Sequence, residues 1–302
     1  MTRKEFSAFV IQLQKNIVAS LEDFDGKKFL TDEWQREEGG YGISCVLQDG
    51  NVFEKAGVNV SVVHGPLSEQ MIRHMASRGK HFTSSSSFSA SGISIVIHPK
   101  NPFAPTVHMN YRYFEVSDQD TIVDWWFGGG SDLTPSYLFE EDCRHFHGIY
   151  KSICDKYDSK YHSKFKKWCD EYFYICHRQE SRGIGGIFFD DLNEKPFSVL
   201  FEMITEMGTA FISSYIPIVE KRYQLKFTED QRKWQLLRRG RYVEFNLVYD
   251  RGTKFGLVSG GRIESILMSL PETARWEYNH VPIKGSPEEA LVSVLKAPIN
   301  WI

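Results

Sequence analysis

The sequence predicts an α+β fold built on a mainly antiparallel β-sheet. Strand patterns occur in blocks joined by links of hairpin length, and helical patterns follow one another in runs. This order differs from the regular alternation of strands and helices that builds parallel sheets. No Pro/Gly linker and no break in composition divides the 302 residues. We therefore expect one domain spanning 1–302.

In the first half of the chain, the patterns predict helices, strands and one loop. Apolar residues recur at helical spacing over 1–24, which indicates an amphipathic N-terminal helix. Strand patterns follow over 43–47 and 58–63, and a second helical pattern covers 67–78. The serine-rich segment 81–92 contains few side chains that could pack, so we expect a flexible loop there.

Helical patterns dominate the second half. Thr134 and Pro135 are the residue types of an N-cap and a first helical position, and they predict the start of a helix. Residues 228–231 form a capping box, and Gly240 is expected to close that helix. Alternating residues on both sides of an Asp-Arg-Gly turn predict a hairpin over 242–258. Further helical patterns cover 165–176, 200–215, 263–270 and 287–295, with a short strand over 183–191.

Three predicted strands place polar side chains on one face of the sheet. Successive side chains in a strand point to opposite faces, and residues 94–98, 108–112 and 244–250 alternate polar with apolar. One face would therefore gather Ser94, His98, His108, Asn110, Arg112, Glu244, Asn246 and Asp250. Such a surface is either solvated or directed at a ligand.

Charged and glycine-rich segments narrow the class of ligand. The basic cluster at 238–241, with Arg251 and Arg262, favours carboxylate recognition, because arginine binds a carboxylate through two hydrogen bonds. The glycines of 127–135 lack the spacing of a phosphate-binding loop, so they indicate either a structural turn or close approach of a ligand to the backbone. Of the neighbouring aspartates 190–191, only one can face a site if they lie on a strand.

Composition excludes several other classes of protein. A net charge of -3 gives no overall attraction to nucleic acid. Five cysteines without a CxxC pair fit reduced thiols better than disulfides or a zinc site. No apolar run reaches the length of about 18 residues that a membrane span needs. Because no leader pattern precedes the first helix, we expect a cytoplasmic protein. The histidines lack HExxH spacing, so no metal is expected to be required.

Several stretches of the chain closely resemble oxygen-dependent coproporphyrinogen III oxidases. They lie in order at 43–50, 52–65, 98–116, 125–135, 182–192, 238–257 and 262–271. The resemblance extends from about Gly39 to Trp301. The serine-rich residues 83–89 and the segment 40–42 depart from the family pattern.

The resemblance implies a large flat antiparallel sheet with helices on both faces, a homodimer, and a role in haem biosynthesis. The implied reaction uses dioxygen as co-substrate to decarboxylate the ring A and ring B propionates of coproporphyrinogen III. Its products are protoporphyrinogen IX, CO₂ and H₂O₂. It implies no flavin, haem or required metal. Some bacterial relatives use Mn²⁺ at histidines that match His98, His108, His147 and His177, and some eukaryotic relatives enter the mitochondrial intermembrane space.

The resemblance also assigns roles to individual residues. Asp250 is the candidate for polarising a pyrrole N–H and His108 for donating a proton, with Arg112 and Asp132 as further catalytic candidates. The implied substrate-binding residues are Ser94, Asn110, Tyr111, Arg112, Arg251, Gly260, Gly261 and Arg262. His177 matches a position tied to the dimer. Two alternatives stay open at this point: a non-catalytic tetrapyrrole-binding protein, and a histidine-dependent metalloenzyme of another class.

Overall fold

Nine strands and ten helices make up the part of the chain that the computed structural model describes. This part is 3–119, 121–258 and 261–302, without the side chains of His74, Phe255 and Val258. The strands are β1 (Leu30–Gln35), β2 (Gly40–Gln48), β3 (Phe53–Pro66), β4 (Ser87–Pro99), β5 (Thr106–Asp118), β6 (Thr121–Thr134), β7 (Tyr174–Ile175), β8 (Glu180–Ser181) and β9 (Gly186–Leu192). The helices are α1 (Arg3–Asp25), α2 (Glu69–Ala76), α3 (Glu140–Tyr157), α4 (Tyr161–Tyr172), α5 (Phe197–Thr209), α6 (Phe211–Arg222), α7 (Glu229–Val248), α8 (Arg251–Val258), α9 (Ile263–Leu267) and α10 (Pro287–Lys296).

One seven-stranded sheet organises the fold, with β1 to β6 side by side in chain order and β9 next to β6. Each strand runs antiparallel to its neighbours. Strands β7 and β8 form a separate small pair. The predicted α+β class with a mainly antiparallel sheet is therefore confirmed.

Helices cover both faces of this sheet. On one face, α1, α3, α5 and α6 pack against apolar side chains such as Val58, Ile95 and Phe189 in the main hydrophobic core. On the other face, Phe245 of α7 and Phe188 of β9 both pack against Phe173 in a second buried cluster. Met268, the C-cap residue of α9, packs directly on β3 at Gly57, where a Cβ would lie 1.6 Å from its sulfur. The second face is the one that carries the predicted polar side chains.

The predicted hairpin over 242–258 is wrong, because these residues belong to α7 and α8. The capping box does start α7: Thr228 Oγ1 accepts from the Gln231 backbone N–H at 3.3 Å, and Gln231 Oε1 accepts from the Thr228 N–H at 2.8 Å. The helix then passes through Gly240. A Cβ there would lie 2.7 Å from the Arg275 carbonyl oxygen, so close packing rather than helix termination explains this glycine. Seven residues of alternation were too few to separate a strand from a helix end.

Two other segments also differ from prediction. Thr134 ends β6 and α3 begins only at Glu140, so the glycines of 127–135 lie inside a strand. At Gly130 a Cβ would lie 2.2 Å from the Ile187 carbonyl oxygen, so the glycine permits close contact with β9. Strand β4 begins at Ser87, which confines the serine-rich loop to 81–86. The single helix predicted over 200–215 is two helices, and β1 and most of β6 escaped prediction.

Candidate active site

The polar face is defined here as the sheet surface that carries Asn59, Ser94, His108, Asn110, Arg112 and Asp132. Residues opposite each other on neighbouring strands share a face. Asn59 lies opposite Ser94, which lies opposite Asn110. His108 lies opposite Asp132 in the next row. Since strands are about 4.8 Å apart and alternate residues about 7 Å apart, the three rows from β3 to β6 span roughly 14 Å in each direction.

The predicted alternation of 94–98 and 108–112 is therefore confirmed in the structure. Ser94, His108, Asn110 and Arg112 are all half-buried, which leaves each partly open above the sheet. The apolar partners of the alternation, such as Ile95, point into the core. This surface is large enough for a macrocycle and not merely for a single carboxylate.

Arg112 crosses β6 to reach a carboxylate on β9. Its Nη2 lies 2.9 Å from Asp190 Oδ1. A Cβ on Gly128, which lies between them, would be 2.6 Å from Asp190 Oδ1 and 2.9 Å from Arg112 Nη2. The glycine thus leaves the space that the ion pair occupies. Arg78 contacts Asp190 Oδ2 at 3.0 Å. Burial alone would raise the pKa of Asp190, but Arg112 and Arg78 outweigh it and lower that pKa.

His108 is held by a buried carboxylate. Its Nδ1 lies 2.6 Å from Asp132 Oδ2. The second oxygen, Oδ1, accepts from Arg182 Nη2 at 2.7 Å, and Arg182 Nη1 donates to Asn246 Oδ1 at 2.9 Å. Burial opposes the charge on Asp132, but Arg182 and His108 outweigh burial and lower its pKa. With Nδ1 committed to Asp132, Nε2 is the ring nitrogen that His108 can offer to a ligand.

Asp250 does not lie on a strand, but it is hydrogen-bonded to Tyr172, whose ring stacks on the polar face. Its Oδ1 accepts from the Tyr172 hydroxyl at 2.8 Å, and its Oδ2 accepts from the Thr253 backbone N–H at 2.7 Å, which caps α8. The Tyr172 ring stacks on Phe188 with centroids 4.1 Å apart. Phe188 lies opposite Gly130 on the polar face. The Arg251 guanidinium lies 4.9 Å from the centre of the Tyr172 ring. Both residues therefore lie above the β9 end of this surface.

Arg262 lies at the opposite end of the polar face. It is the N-cap residue of α9 and forms an ion pair with Asp32 of β1. Four strand spacings separate β1 from β5, so Arg262 and Arg112 mark the ends of a surface about 19 Å long. The backbone N–H of Gly261 donates to a carbonyl of α8 at 2.8 Å, and Gly260 lies outside the described residues.

Two residues named from the sequence do not contribute their side chains to this surface. Tyr111 is fully buried on the core face, where its hydroxyl lies 2.9 Å from Ser131 Oγ. Glu244 lies on α7. Its Oε2 lies 2.5 Å from His177 Nε2, and its Oε1 accepts from Arg178 Nη2 at 2.7 Å. Those bonds lower the pKa of Glu244 to about 2 despite its burial. Of the three polar residues that were expected on the same strand, Asn246 and Asp250 reach the site from α7 and its C-terminal end, and Glu244 does not.

The four histidines that the resemblance associates with Mn²⁺ have separate hydrogen-bond partners. Both ring nitrogens of His98 are bonded, one to a threonine hydroxyl at 3.2 Å and one to a backbone carbonyl at 2.9 Å. His147 binds a backbone carbonyl at 3.2 Å, and His177 binds Glu244 and a tyrosine hydroxyl. Burial lowers the pKa of His98 and His147 to about 3, so both are neutral. Within 3–119, 121–258 and 261–302, no three His, Cys, Asp or Glu side chains converge as a ligand set.

Sequence reasoning missed Arg182 and Tyr172 as residues of the site and left Asp190 undecided. Asp190 could have been chosen over Asp191 from its spacing to Phe188, since both occupy alternate positions of one strand. Arg182 precedes a glycine turn and shows no sequence pattern of its own. Tyr172 is one of many aromatic residues in a helical stripe. Only the packing of α4 and α7 on β9 brings them to the site.

The comparisons agree on one family. The family model described as coproporphyrinogen III oxidase matches residues 5–301. The rat oxygen-dependent coproporphyrinogen-III oxidase, mitochondrial, is 54% identical over 99% of this chain and 69% of its own length. The chloroplastic coproporphyrinogen-III oxidase 1 of Arabidopsis thaliana is 54% identical over 99% of this chain and 79% of its own length. The oxygen-dependent coproporphyrinogen-III oxidase of Drosophila melanogaster is 53% identical over 99% of this chain and 78% of its own length.

Proposed function

The chain belongs to the coproporphyrinogen III oxidase family, and we propose that its polar face binds coproporphyrinogen III and catalyses its oxidative decarboxylation by dioxygen. The relatives are named as oxygen-dependent enzymes acting on this substrate. In each round, a propionate, one O₂ and one proton give a vinyl group, CO₂ and H₂O₂. Two rounds, at rings A and B, yield protoporphyrinogen IX.

One observation supports this proposal above the others. A proton donor, a fixed arginine and a carboxylate meet on one open surface, namely His108 on Asp132, Arg112 on Asp190, and Asp250. A tetrapyrrole with acidic side chains needs these groups together: cations for its carboxylates, and acid–base groups at its pyrroles. The floor of half-buried serine and asparagine side chains leaves room for the ring itself.

Asp250 is proposed as the group that activates a pyrrole. Its carboxylate already accepts one hydrogen bond at each oxygen, and an ionised carboxylate has about four acceptor sites in all. A pyrrole N–H can therefore donate to it without displacing either partner. Drawing this proton toward Asp250 makes the pyrrole electron-rich enough to react with dioxygen. The resulting peroxide-level adduct removes a hydrogen from the propionate β-carbon, and the carboxylate leaves as CO₂.

His108 is proposed as the proton donor that completes hydrogen peroxide. Asp132 fixes its Nδ1, so the other nitrogen is the one that exchanges a proton with the reacting groups. General acid–base help of this kind contributes about 10²–10⁴-fold to a rate. Asp132 acts through His108 and is buried, with 2% of its surface exposed, so it does not contact the substrate.

Arginines at the two ends of the polar face are proposed to bind the propionates. Arg112 keeps 39% of its side chain exposed while Asp190 fixes its position. Arg251 is exposed above Tyr172. Arg262 carries a buried Nη1 with no hydrogen-bond partner, a donor that a propionate would satisfy. Ser94, Asn110 and Gly261 are proposed to contact the ring or its side chains.

Assembly and location stay predictions. A homodimer would have about twice the 35.0 kDa mass of one chain, which light scattering measures directly. His177 is half-exposed beside Tyr249, and we expect its replacement by alanine to weaken the dimer. In the described residues no helix is long and apolar enough to cross a bilayer. A cytoplasmic location remains to be tested by cell fractionation, since several relatives are named mitochondrial or chloroplastic.

Product analysis tests the proposed function. The purified protein is mixed with freshly reduced coproporphyrinogen III in air or under nitrogen, with and without a chelator. The proposal predicts protoporphyrinogen IX in air only, at the same rate in both chelator arms. A non-catalytic tetrapyrrole-binding protein would bind the substrate and release it unchanged. A metalloenzyme would lose activity in the chelator arm.

A further inference from the structure

Arg182 is a deeply buried cation next to the proposed site, and the sequence assigned it no role there. Only 3% of its surface is exposed. Its guanidinium lies 4.1 Å from the centre of the Phe173 ring, 4.4 Å from that of Tyr242 and 4.9 Å from that of Phe245. Three aromatic faces around one cation compensate part of its desolvation. Burying a cation costs free energy unless it is paired, so the groups that pair with Arg182 indicate its role.

Those partners lead directly to His108. Arg182 Nη2 donates to Asp132 Oδ1 at 2.7 Å, while Asp132 Oδ2 receives His108 Nδ1 at 2.6 Å. The guanidinium thus holds one oxygen of the carboxylate and the imidazole holds the other. Arg182 Nη1 donates to Asn246 Oδ1 at 2.9 Å, which ties the guanidinium to α7. The carboxylate plane, and with it the imidazole, is therefore fixed from the side away from the substrate.

We propose that Arg182 is a positioning residue that holds the Asp132 carboxylate as an oriented anion, so that the His108 ring keeps one orientation with Nε2 toward the substrate. This inference rests on the proposed function. Asp132 is buried, and a buried carboxylate needs a cation. With His108 as its only partner, the carboxylate could rotate and would no longer hold the ring in one orientation. Arg182 is always charged and supplies the permanent partner.

The other ionisable groups around Asp132 cannot take this role. Cys169 from α4 and Tyr242 from α7 face the Asp132–Arg182 pair, and burial raises the pKa of both, which keeps them neutral. Asp250 also lies near Arg182, but a carboxyl group cannot supply a positive charge. Among the described groups that face this carboxylate, the permanent positive charge comes from Arg182.

The chain contains a matched control for the effect of losing a buried ion pair. Arg238 of α7 is 5% exposed and donates to Glu180 Oε1 at 2.7 Å. This pair has the same length as Arg182–Asp132 and is also buried, though slightly less, and it does not include His108. Replacing Arg238 by glutamine costs a comparable buried contact without touching the proposed acid.

The test compares Arg182→Gln, Arg182→Lys and Arg238→Gln in the full chain. The ¹⁵N signals of the His108 ring, assigned by their absence in His108→Gln, are recorded near neutral pH without substrate. In the parent protein we expect one sharp set of ring signals, with Nδ1 shifted by its hydrogen bond to Asp132. In Arg182→Gln we expect these signals to shift or broaden, because the carboxylate that orients the ring is no longer held. Arg182→Lys retains the charge and should keep the parent signals. Arg238→Gln should keep the parent signals.

Kinetics provide the second measurement. We expect kcat of Arg182→Gln to fall about 10²-fold with KM changed less than about threefold, because Arg182 does not contact substrate. Arg182→Lys should recover part of kcat. Parent-like ring signals in Arg182→Gln, or the same ring change in Arg238→Gln, would overturn the proposal. If Arg182→Gln does not fold, Arg182→Lys decides: parent kcat with a displaced ring would contradict the role in positioning. The ring signals need no turnover, so they test this inference even if the proposed reaction is wrong.

Discussion

The Arg112 guanidinium meets the Asp190 carboxylate at 2.9 Å across the space that Gly128 leaves in β6. A strand residue with a side chain at this position would separate the two charges. The ion pair fixes a partly exposed arginine at one end of the polar face. Its direction toward a ligand carboxylate is therefore determined by a residue on β9, which is the third strand after β6 in chain order but lies next to β6 in the sheet.

Replacing Asp190 by asparagine should weaken substrate binding more than it slows chemistry. The change removes the anion that holds Arg112, while Arg112 keeps its own charge for the propionate. We expect KM to rise about tenfold, the equivalent of about 1.4 kcal/mol, with kcat within a factor of about three. Steady-state kinetics measure both constants. Asp191→Asn is the matched control, since Asp191 also pairs with Arg78 but does not contact Arg112. Equal KM effects in the two variants would contradict the anchoring role of Asp190.

Replacing Gly128 by alanine should force Arg112 and Asp190 apart. Its Cβ would lie 2.6 Å from Asp190 Oδ1, inside normal contact distance. We expect a loss of about 1–3 kcal/mol in the free energy of unfolding, as for other overpacked sites, and a rise in KM like that of Asp190→Asn. Denaturant unfolding and kinetics provide the measurements. Gly148→Ala on α3 has open space around its Cβ and should be neutral or slightly stabilising. An unchanged KM in Gly128→Ala would show that the gap in β6 has no role in binding.

Replacing Asp250 separates its structural role from its proposed chemical role. Asp250→Asn can still accept the Thr253 N–H and cap α8, whereas Asp250→Ala loses the cap at a cost of about 1 kcal/mol. We expect both variants to lose about 10²–10⁴-fold in kcat, and only the alanine variant to lose stability. Asp230→Asn also removes a carboxylate from the start of a helix, but at an exposed position far from the polar face, and should retain parent activity. Substantial turnover by Asp250→Asn would exclude Asp250 as the essential carboxylate.

The buried histidines predict a loss of stability in mild acid. The pKa of His98 and of His147 is lowered to about 3 in the folded protein by burial, compared with about 6.5 in an unfolded chain. Between about pH 6.5 and pH 3 the unfolded state therefore binds the additional protons, and the free energy of unfolding falls as the pH falls. Each histidine contributes a slope of about 1.4 kcal/mol per pH unit in the middle of this window. Chemical denaturation from pH 7 to pH 4 should show a shallower slope for His98→Gln and an unaltered slope for His81→Gln, an exposed control. Equal slopes for the two variants would argue against a neutral buried His98.

The sequence predicted the sheet more successfully than the C-terminal part of the site. Alternation over 94–98 and 108–112 identified the polar face correctly, because each strand packs on the core along its whole length and period two is then enforced. Alternation over 244–250 failed, because a helix end with half-buried residues produces the same short pattern. The glycines of 127–135 suggested a turn, but they serve contacts with β9 that only the tertiary structure reveals. Arg182 could not be predicted for the same reason, since its partners are Asp132 and Asn246, which are distant in the sequence.

The most direct test of the proposed function is the stoichiometry of oxygen consumption on coproporphyrinogen III. Oxygen uptake and CO₂ release are recorded together for the parent protein and for Asp250→Asn, with the porphyrinogens separated by chromatography. We predict two O₂ consumed and two CO₂ released per protoporphyrinogen IX formed by the parent protein, and neither above background for Asp250→Asn. Tight binding of coproporphyrinogen III by the parent protein without oxygen uptake, or equal uptake by the two proteins, would contradict a catalytic polar face that depends on Asp250.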